Sequence, residues 1–327
     1  MHVLITGAAG MIGQKLLGRL AEDGSLGGRR VEHVTLQDTV PAAAPAGAQF
    51  CSEMIVSDFA QPGEAARLVG GRPDLVVHLA AIVSADAEAD FDKGYRVNLD
   101  GTRFLLEAIR AVGAGYLPRF IFTSGGAVFG TPYPDTIGDD FLSAPLSSYG
   151  TQKAICELLL SDYTRRGFID GIGLRFPTIC VRPGKPNKAA SSFFSSIIRE
   201  PLNGQEAILP VSEMVRHWMT SPRSAINFLV RAASMDLSAL GARRSLNMPG
   251  LSVTVAGQIE ALRGIAGQAA VDLIRREPDP MIMRIVDSWP QRFDTQRAHE
   301  AGFTAEQSFE EILQVYLQDE LGRSARS

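Results

Sequence analysis

The chain has 327 residues, enough for one large domain or two closely packed domains with a substantial buried core. Hydrophobic residues make up 45% and charged residues 21% of it, a balance typical of folded globular proteins that excludes a disordered chain. The net charge of −4 gives no general attraction to nucleic acid or to an anionic membrane surface. There is no apolar run of about 18 residues, and the start MHVLITGAAG lacks a signal-peptide pattern, so we expect a cytoplasmic protein without a membrane partner.

The first 176 residues alternate between strand and helix patterns. Short apolar runs predict strands at 2–6, 31–38, 54–58, 74–81, 119–124 and 171–176. Helical periodicity between them predicts a helix that begins at Met11 and further helices around 62–70, over 97–112 and over 148–166. Near-continuous apolar strands that alternate with helices are typical of a parallel sheet covered on both faces. The expected fold class is therefore α/β, with a doubly wound parallel sheet.

After residue 176 this alternation breaks. The stretch 177–191 is rich in proline, lysine and glycine, and shorter helices with occasional strands follow it. We predict a first domain of residues 1–176, with 216–244 and 286–298 returning to pack on it. Residues 177–215, 245–285 and 299–327 are predicted to form a smaller α/β C-terminal domain.

A glycine-rich turn, TGAAGMIG, connects the first predicted strand to the first predicted helix. Gly7, Gly10 and Gly13 have a spacing that is weak evidence by itself, but the strand-turn-helix context is the one that a dinucleotide site requires. Glycines let the backbone approach a pyrophosphate, and the helix N-terminus supplies N–H donors and a partial positive charge. A tight structural turn is the alternative.

Two acidic residues end the second and third predicted strands. A carboxylate at Asp38 can hydrogen-bond the adenosine ribose and would repel a 2′-phosphate, which favours NAD over NADP as the cofactor. Asp58 is placed for an adenine contact, although an ordinary turn aspartate also fits the pattern.

Tyr149 and Lys153 are spaced so that they share one face of a predicted helix. An ammonium group beside a phenol stabilises the phenolate and brings the tyrosine towards the working range of a general base. An ordinary pair on an amphipathic helix is the alternative.

Six segments in order along almost the whole chain, TGAAGMIG, HLAA, VNLDGT, TSGGAVFG, YGTQK and RHWMTSP, resemble the extended short-chain dehydrogenase/reductase family. That family includes nucleotide-sugar epimerases, dehydratases and small-acid dehydrogenases. The resemblance implies an NAD-binding Rossmann domain, a smaller substrate domain and a Ser/Thr–Tyr–Lys catalytic set. It also implies a homodimer formed through two long helices, which here would lie near 99–112 and 150–166.

The resemblance assigns roles by position. Tyr149 would be the general base, Lys153 its electrostatic partner and Ser124 the hydroxyl that holds the reacting oxygen, while Gly125 stands where the family often has the catalytic Ser or Thr. The residues implied to contact the cofactor are Gly7, Gly10, Met11, Ile12, Gly13, Asp38, Asp58, Leu79, Ala80, Ala81, Asn98, Tyr149, Lys153, Pro177 and Thr178.

The substrate is the less defined part of the site. The segment PVSEMVRHWMTS lacks the glycines that nucleotide-sugar enzymes usually place there, whereas Arg182, Lys185, Lys188 and Arg216 supply cations suited to a small carboxylate. A solvated basic loop is the alternative for each cation. The candidate substrate residues are Ser84, Ser124, Gly125, Arg182 and Arg216.

The stretches 176–206 and 210–225 most resemble the D-erythronate dehydrogenase branch of the family, which implies NAD-dependent oxidation of the C2 hydroxyl of a four-carbon sugar acid to the 2-oxo acid. Two other functions stay open. One is a nucleotide-sugar epimerase or decarboxylase that holds NAD tightly, and the other is a non-catalytic NAD-binding protein, since fold does not determine function.

Cysteine and histidine patterns indicate neither disulfides nor a metal. The three cysteines are widely spaced, odd in number and in apolar neighbourhoods, so buried free thiols are expected at Cys51, Cys156 and Cys180. The five histidines show no metal-ligand spacing. His217, beside Trp218, is the histidine most suited to reach the active site, although a structural role is favoured for it.

Overall fold

A computed structural model describes residues 1–184 and 190–322. In these residues the strands are β1 (His2–Thr6), β2 (Ser25–Leu26), β3 (Arg29–Arg30), β4 (His33–Asp38), β5 (Cys51–Val56), β6 (Leu75–His78), β7 (Arg119–Gly125), β8 (Asp170–Phe176), β9 (Thr178–Ile179), β10 (Ala207–Leu209), β11 (Arg216–Thr220), β12 (Ser245–Asn247), β13 (Leu251–Thr254) and β14 (Ile274–Arg276). The α-helices are α1 (Met11–Asp23), α2 (Glu64–Val69), α3 (Ser84–Ala89), α4 (Phe91–Gly94), α5 (Thr102–Val112), α6 (Ser148–Arg165), α7 (Ser192–Leu202), α8 (Pro222–Ser234), α9 (Val255–Ala266), α10 (Gln268–Val271), α11 (Pro280–Asp287), α12 (Gln296–Glu300) and α13 (Phe309–Leu321).

A parallel sheet of seven strands, in the order β12-β8-β7-β6-β1-β4-β5, forms the centre of the fold. This confirms the predicted doubly wound α/β fold class. Each of the six predicted strands is present, but β5 begins three residues earlier than its apolar run because it pairs with β4 from Cys51 onwards. Its first residues are exposed at the sheet edge, so they carry no apolar signal.

Helices cover both faces of this sheet. On one face, apolar residues of α1 and α8 such as Leu17 and Phe228 pack against the strands. On the other face, α2, α5 and α6 contribute residues such as Leu68, Leu105 and Leu160. The predicted helix over 97–112 is a π-helical segment, Tyr95–Gly101, that continues directly into α5.

A second cluster of elements follows β8. Strands β13, β11 and β9 form a three-stranded sheet, β10 pairs with β14, and apolar residues of α7, α9 and α13 fill a separate core. Two strands depart from the predicted division of the chain. Strand β12 is the edge strand of the large sheet although 245–285 was predicted for the smaller domain, and β11 pairs with β9 and β13 although 216–244 was predicted to return to the first domain. The pairing of these two strands depends on tertiary packing, which no local pattern encodes.

The cysteine prediction is wrong at one position. Cys156 and Cys180 are buried free thiols, whereas Cys51 is exposed because it opens the edge strand β5. No helix in the described ranges is long and apolar enough to cross a membrane.

Candidate active site

The glycine turn packs tightly between β1, α1 and the loop after β6. Gly7 has a φ of 74°, and a Cβ there would lie 2.7 Å from the backbone nitrogen of Ala80. A Cβ at Gly13 would lie 2.6 Å from the carbonyl oxygen of Gly7. Gly10 precedes α1 without a side-chain cap. Gly7 and Gly13 therefore let this turn, which we call the cofactor cradle, pack closely, and the first N–H groups of α1, from Met11 to Gly13, lie beside it without helical acceptors, which fits a pyrophosphate.

Asp38 lies against this turn at the end of β4. One of its carboxylate oxygens accepts a hydrogen bond of 2.9 Å from the backbone of Ala9, and the other accepts one of 2.7 Å from the backbone of Thr39. The carboxylate is thus held beside the glycine turn, where it was predicted to bind the adenosine ribose.

Asp58, at the next strand end, has an ion pair with Arg96 at 2.5 Å and accepts a hydrogen bond from the backbone of Ala60. Burial by itself would raise the pKa of Asp58, but these hydrogen bonds hold it below its ordinary value. Its carboxylate already has these partners, and the adenine contact of Asp58 stays a prediction.

Asn98 holds the loop that contains Leu79, Ala80 and Ala81 through hydrogen bonds to the next residue, Ile82. The Asn98 amide accepts a hydrogen bond from the backbone nitrogen of Ile82 at 2.8 Å and donates to the Ile82 carbonyl at 3.0 Å. It also donates to Gln152 of α6 at 2.7 Å. Asn98 therefore connects the predicted cofactor loop to the helix that carries Tyr149 and Lys153.

Tyr149 and Lys153 lie one turn apart on α6, whose N-terminus is capped by the Ser147 hydroxyl. The Lys153 ammonium donates to the Thr123 carbonyl at 2.8 Å and lies 5.6 Å from the centre of the Tyr149 ring. Burial lowers the pKa of Lys153 to about 8 and raises the pKa of Tyr149 to about 12. In the chain alone the phenol is therefore protonated at neutral pH.

Ser124 and Gly125 end β7 beside this pair. Ser124 is 5% exposed, and within the described part of the chain its hydroxyl has no hydrogen-bond partner. An unpaired buried hydroxyl is costly, so it fits a polar group of a ligand. Gly125 is extended, with a φ of −166°, and a Cβ there would lie 3.7 Å from the Phe176 carbonyl oxygen. The backbone therefore leaves room for the hydroxyl residue that the family often has at this position.

Pro177 and Thr178 follow β8 as it leaves the large sheet. The Thr178 hydroxyl is 2.7 Å from Nε2 of His217 on β11. His217 is 6% exposed and its ring stacks on Phe194 at 5.0 Å, at an angle of 2°. The sequence favours a structural role for His217. Its hydrogen bond to Thr178 joins residues 39 positions apart, so no local pattern predicts it.

The two arginines predicted to bind a carboxylate lie in different surroundings. The Arg182 guanidinium donates to the Ile179 carbonyl at 3.0 Å and to the Ser191 hydroxyl at 2.9 Å. Arg216 donates to the Ser252 carbonyl at 3.0 Å. Neither has an ion pair with a carboxylate in residues 1–184 and 190–322. Burial lowers the pKa of Arg182, and the charge of Arg199 acts in the same direction.

The remaining candidates add little to the site. Ser84 is exposed at the start of α3. Lys185 and Lys188 lie outside the described residues. The described residues hold no group of three or more metal-ligating side chains.

One segment that packs next to Ser124 and Gly125 had no signal in the sequence. A Cβ at Gly126 would lie 2.9 Å from the Phe293 ring and 3.2 Å from Pro290, so the segment 288–293 lies directly over this glycine. Trp289 from the same segment lies 5.1 Å from the His217 ring. Only the run of aromatic and proline residues in SWPQRF hints at a packed segment.

Comparison with known proteins gives three informative matches besides a family model. The family model, described as the NAD dependent epimerase/dehydratase family, matches residues 3–222. A D-erythronate dehydrogenase of Cupriavidus necator is 48% identical over 98% of this chain and 98% of that protein. Another, of Haemophilus influenzae, is 42% identical over 97% and 99%. A crystal structure described as the nucleoside-diphosphate-sugar epimerase from Agrobacterium tumefaciens is 61% identical, with a TM-score of 0.97 over 100% of this chain and 96% of that one.

These matches confirm the resemblance on which the sequence predictions rest, and with it an NAD-dependent oxidoreductase. They leave the individual site residues and the homodimer as predictions. The chain belongs to the NAD dependent epimerase/dehydratase family.

Proposed function

We propose that this chain oxidises the C2 hydroxyl of a small sugar acid, D-erythronate, to the 2-oxo acid with NAD. The observation that carries the proposal is Arg182, a half-buried guanidinium that has no carboxylate partner in the described residues. Its charge also acts on His217, which is hydrogen-bonded to Thr178 two residues after the end of β8, the strand next to β7. A half-buried cation is well suited to bind an anion, and a substrate carboxylate would supply one. The two relatives named D-erythronate dehydrogenase support the same substrate.

The residues around the glycine turn suit the cofactor. The cradle formed by Gly7 and Gly13 would hold the pyrophosphate at the N-terminus of α1, and Asp38 would bind the adenosine ribose. Bound NAD would accept the hydride that leaves C2 of the substrate.

Tyr149 is the proposed general base. Its phenolate takes the proton of the C2 hydroxyl, and Ser124 hydrogen-bonds the same oxygen. Because the pKa of Tyr149 is about 12 in the chain alone, the phenolate needs nearby positive charge. Lys153, held by the Thr123 carbonyl, already lies 5.6 Å from the centre of the Tyr149 ring, so the further positive charge would come from the nicotinamide ring, and Lys153 would also bind the nicotinamide ribose.

The direct test mixes the purified protein with NAD and D-erythronate and follows NADH absorbance. We expect NADH from D-erythronate and none from the Tyr149→Phe variant, which keeps the ring and removes only the hydroxyl. If no aldonate of three to six carbons yields NADH, the proposal is wrong.

A nucleotide-sugar epimerase is the second candidate, favoured by the name of the 61% identical Agrobacterium structure. Against it, the segment 210–215 that precedes β11 has no glycine. An epimerase would interconvert a nucleotide sugar without net NADH, so incubation with UDP-sugars and analysis of the products separates the two. A non-catalytic NAD-binding protein would bind NAD and give neither result.

We also propose a cytoplasmic homodimer formed through α5 and α6. Leu158 of α6 is 72% exposed, which fits a covered apolar contact, and the three free cysteines fit a reducing compartment. Sedimentation of the wild type and of Leu158→Glu tests the dimer: the wild type should sediment as a dimer and the variant as a monomer.

A further inference from the structure

His217 has one ring nitrogen in use and one without a partner. Its Nε2 is 2.7 Å from the Thr178 hydroxyl, while Nδ1 is buried and lacks a hydrogen-bond partner in the part of the chain that the structure describes. The ring is packed between two aromatic side chains, parallel to Phe194 at 5.0 Å and tilted against Trp289 at 5.1 Å. A polar atom that is buried and held in this way is costly unless a ligand satisfies it.

The chemistry of this nitrogen is that of a neutral imidazole. Burial, and then the charge of Arg182, lower the pKa of His217 to about 3. A neutral ring bonded through Nε2 offers Nδ1 as a single hydrogen-bonding atom, a donor when the Thr178 hydroxyl donates to Nε2. Such an atom is suited to a hydroxyl rather than to a carboxylate, whose charge Arg182 matches better.

We propose that Nδ1 of His217 hydrogen-bonds a hydroxyl on the C3–C4 part of the substrate while Arg182 holds its carboxylate. The inference rests on the proposed function and adds a specificity determinant to it. His217 then selects polyhydroxy acids over simple 2-hydroxy acids, because an analogue without that hydroxyl leaves Nδ1 buried and unpaired.

The test compares kcat/KM for D-erythronate with kcat/KM for 2-hydroxybutanoate of the same C2 configuration, which lacks the C3 and C4 hydroxyls. The selectivity is the ratio of the two values. His217→Gln places an amide near the Nε2 position and keeps the Thr178 contact, whereas His217→Asn places one near Nδ1. We expect the selectivity to fall about tenfold in His217→Gln and to stay near that of the wild type in His217→Asn, because a neutral hydrogen bond has about this value.

The matched control is His299→Gln. His299 lies on α12, where its Nδ1 is 3.1 Å from the Phe303 carbonyl, so the same exchange there should leave the selectivity unchanged. If His217→Gln does not fold, Thr178→Val removes the hydrogen bond that orients the ring and should lower the same ratio.

The outcomes separate this inference from the proposed function. Equal selectivity in the wild type and in His217→Gln overturns the inference, even if overall activity falls, and where His217→Gln does not fold the same holds for Thr178→Val. So does a wild type that oxidises both acids with equal kcat/KM. A wild type that makes no NADH from any aldonate refutes the proposed function, and the inference falls with it.

Discussion

Two glycines of α1 provide a sharp test of the cofactor cradle. Gly13 lies in the first turn of the helix and Gly18 lies further along it. An alanine at Gly13 would place its Cβ 2.6 Å and 2.7 Å from the carbonyl oxygens of Gly7 and Ala8, whereas nothing lies within 4 Å of a Cβ at Gly18. The same substitution should therefore have opposite effects at the two positions.

The magnitudes follow from two terms. Glycine to alanine inside a helix raises the free energy of unfolding by about 1 kcal/mol. At Gly18 only this term acts, so Gly18→Ala should gain about 0.5–1 kcal/mol. At Gly13 the Cβ overlaps backbone atoms of a tight turn, which cannot swing aside as the end of a side chain would, and overpacking costs about 1–3 kcal/mol or more. Gly13→Ala should therefore lose about 1–2 kcal/mol.

The assay is urea unfolding of both variants, followed by titration of NAD. Gly13→Ala should also raise the Kd for NAD at least about tenfold, equivalent to about 1.4 kcal/mol, because the turn that must accept the pyrophosphate is pushed outwards. Gly18→Ala should bind NAD as the wild type does. If Gly13→Ala is as stable as Gly18→Ala and binds NAD normally, the cradle described for this turn is wrong.

Three further predictions concern the chemistry of the site. Ser124→Ala should lower kcat at least about tenfold. Gly125→Ser, for which the backbone has room, should fold normally and change kcat less than about threefold. A large gain in kcat in Gly125→Ser would show that the chain lacks a working hydroxyl. Arg182→Ala should raise KM for D-erythronate about 10–100-fold and Arg216→Ala much less, since Arg182 is the cation whose charge acts on His217. A larger rise in KM for Arg216→Ala, or unchanged KM in both variants, contradicts the proposal that Arg182 binds the carboxylate. Lys153→Met should lower kcat/KM about 10²–10⁴-fold and move the pH profile to higher pH. The pKa of Lys153 is about 8 in the folded chain, below its value in the unfolded chain, so above pH 8 the unfolded chain binds more protons than the folded one. The free energy of unfolding of the wild type should therefore rise as pH rises above 8. Urea unfolding of Lys153→Met should lack that rise.

Much of the site was visible in the sequence because its parts are local. The glycine turn, Asp38 at a strand end and the Tyr149–Lys153 spacing each depend on residues within one strand-turn-helix unit or one helical turn. Parallel strands then place their carboxyl ends at one edge of the sheet, so the order of the units is enough to gather these groups. The bounds of β5 were less visible, because its exposed half has no apolar pattern.

The sequence by itself determined the fold class and the family and predicted the Tyr149–Lys153 pair, since these follow from short-range patterns repeated in order. Only the tertiary structure decided which buried polar atoms of the described residues lack hydrogen-bond partners, and the Ser124 hydroxyl and Nδ1 of His217 are among them. It also brought Thr178 to His217 and laid the 288–293 segment over Gly126. Such contacts join distant segments through short strands and loops. Their formation depends on how the whole chain packs, which no local pattern encodes.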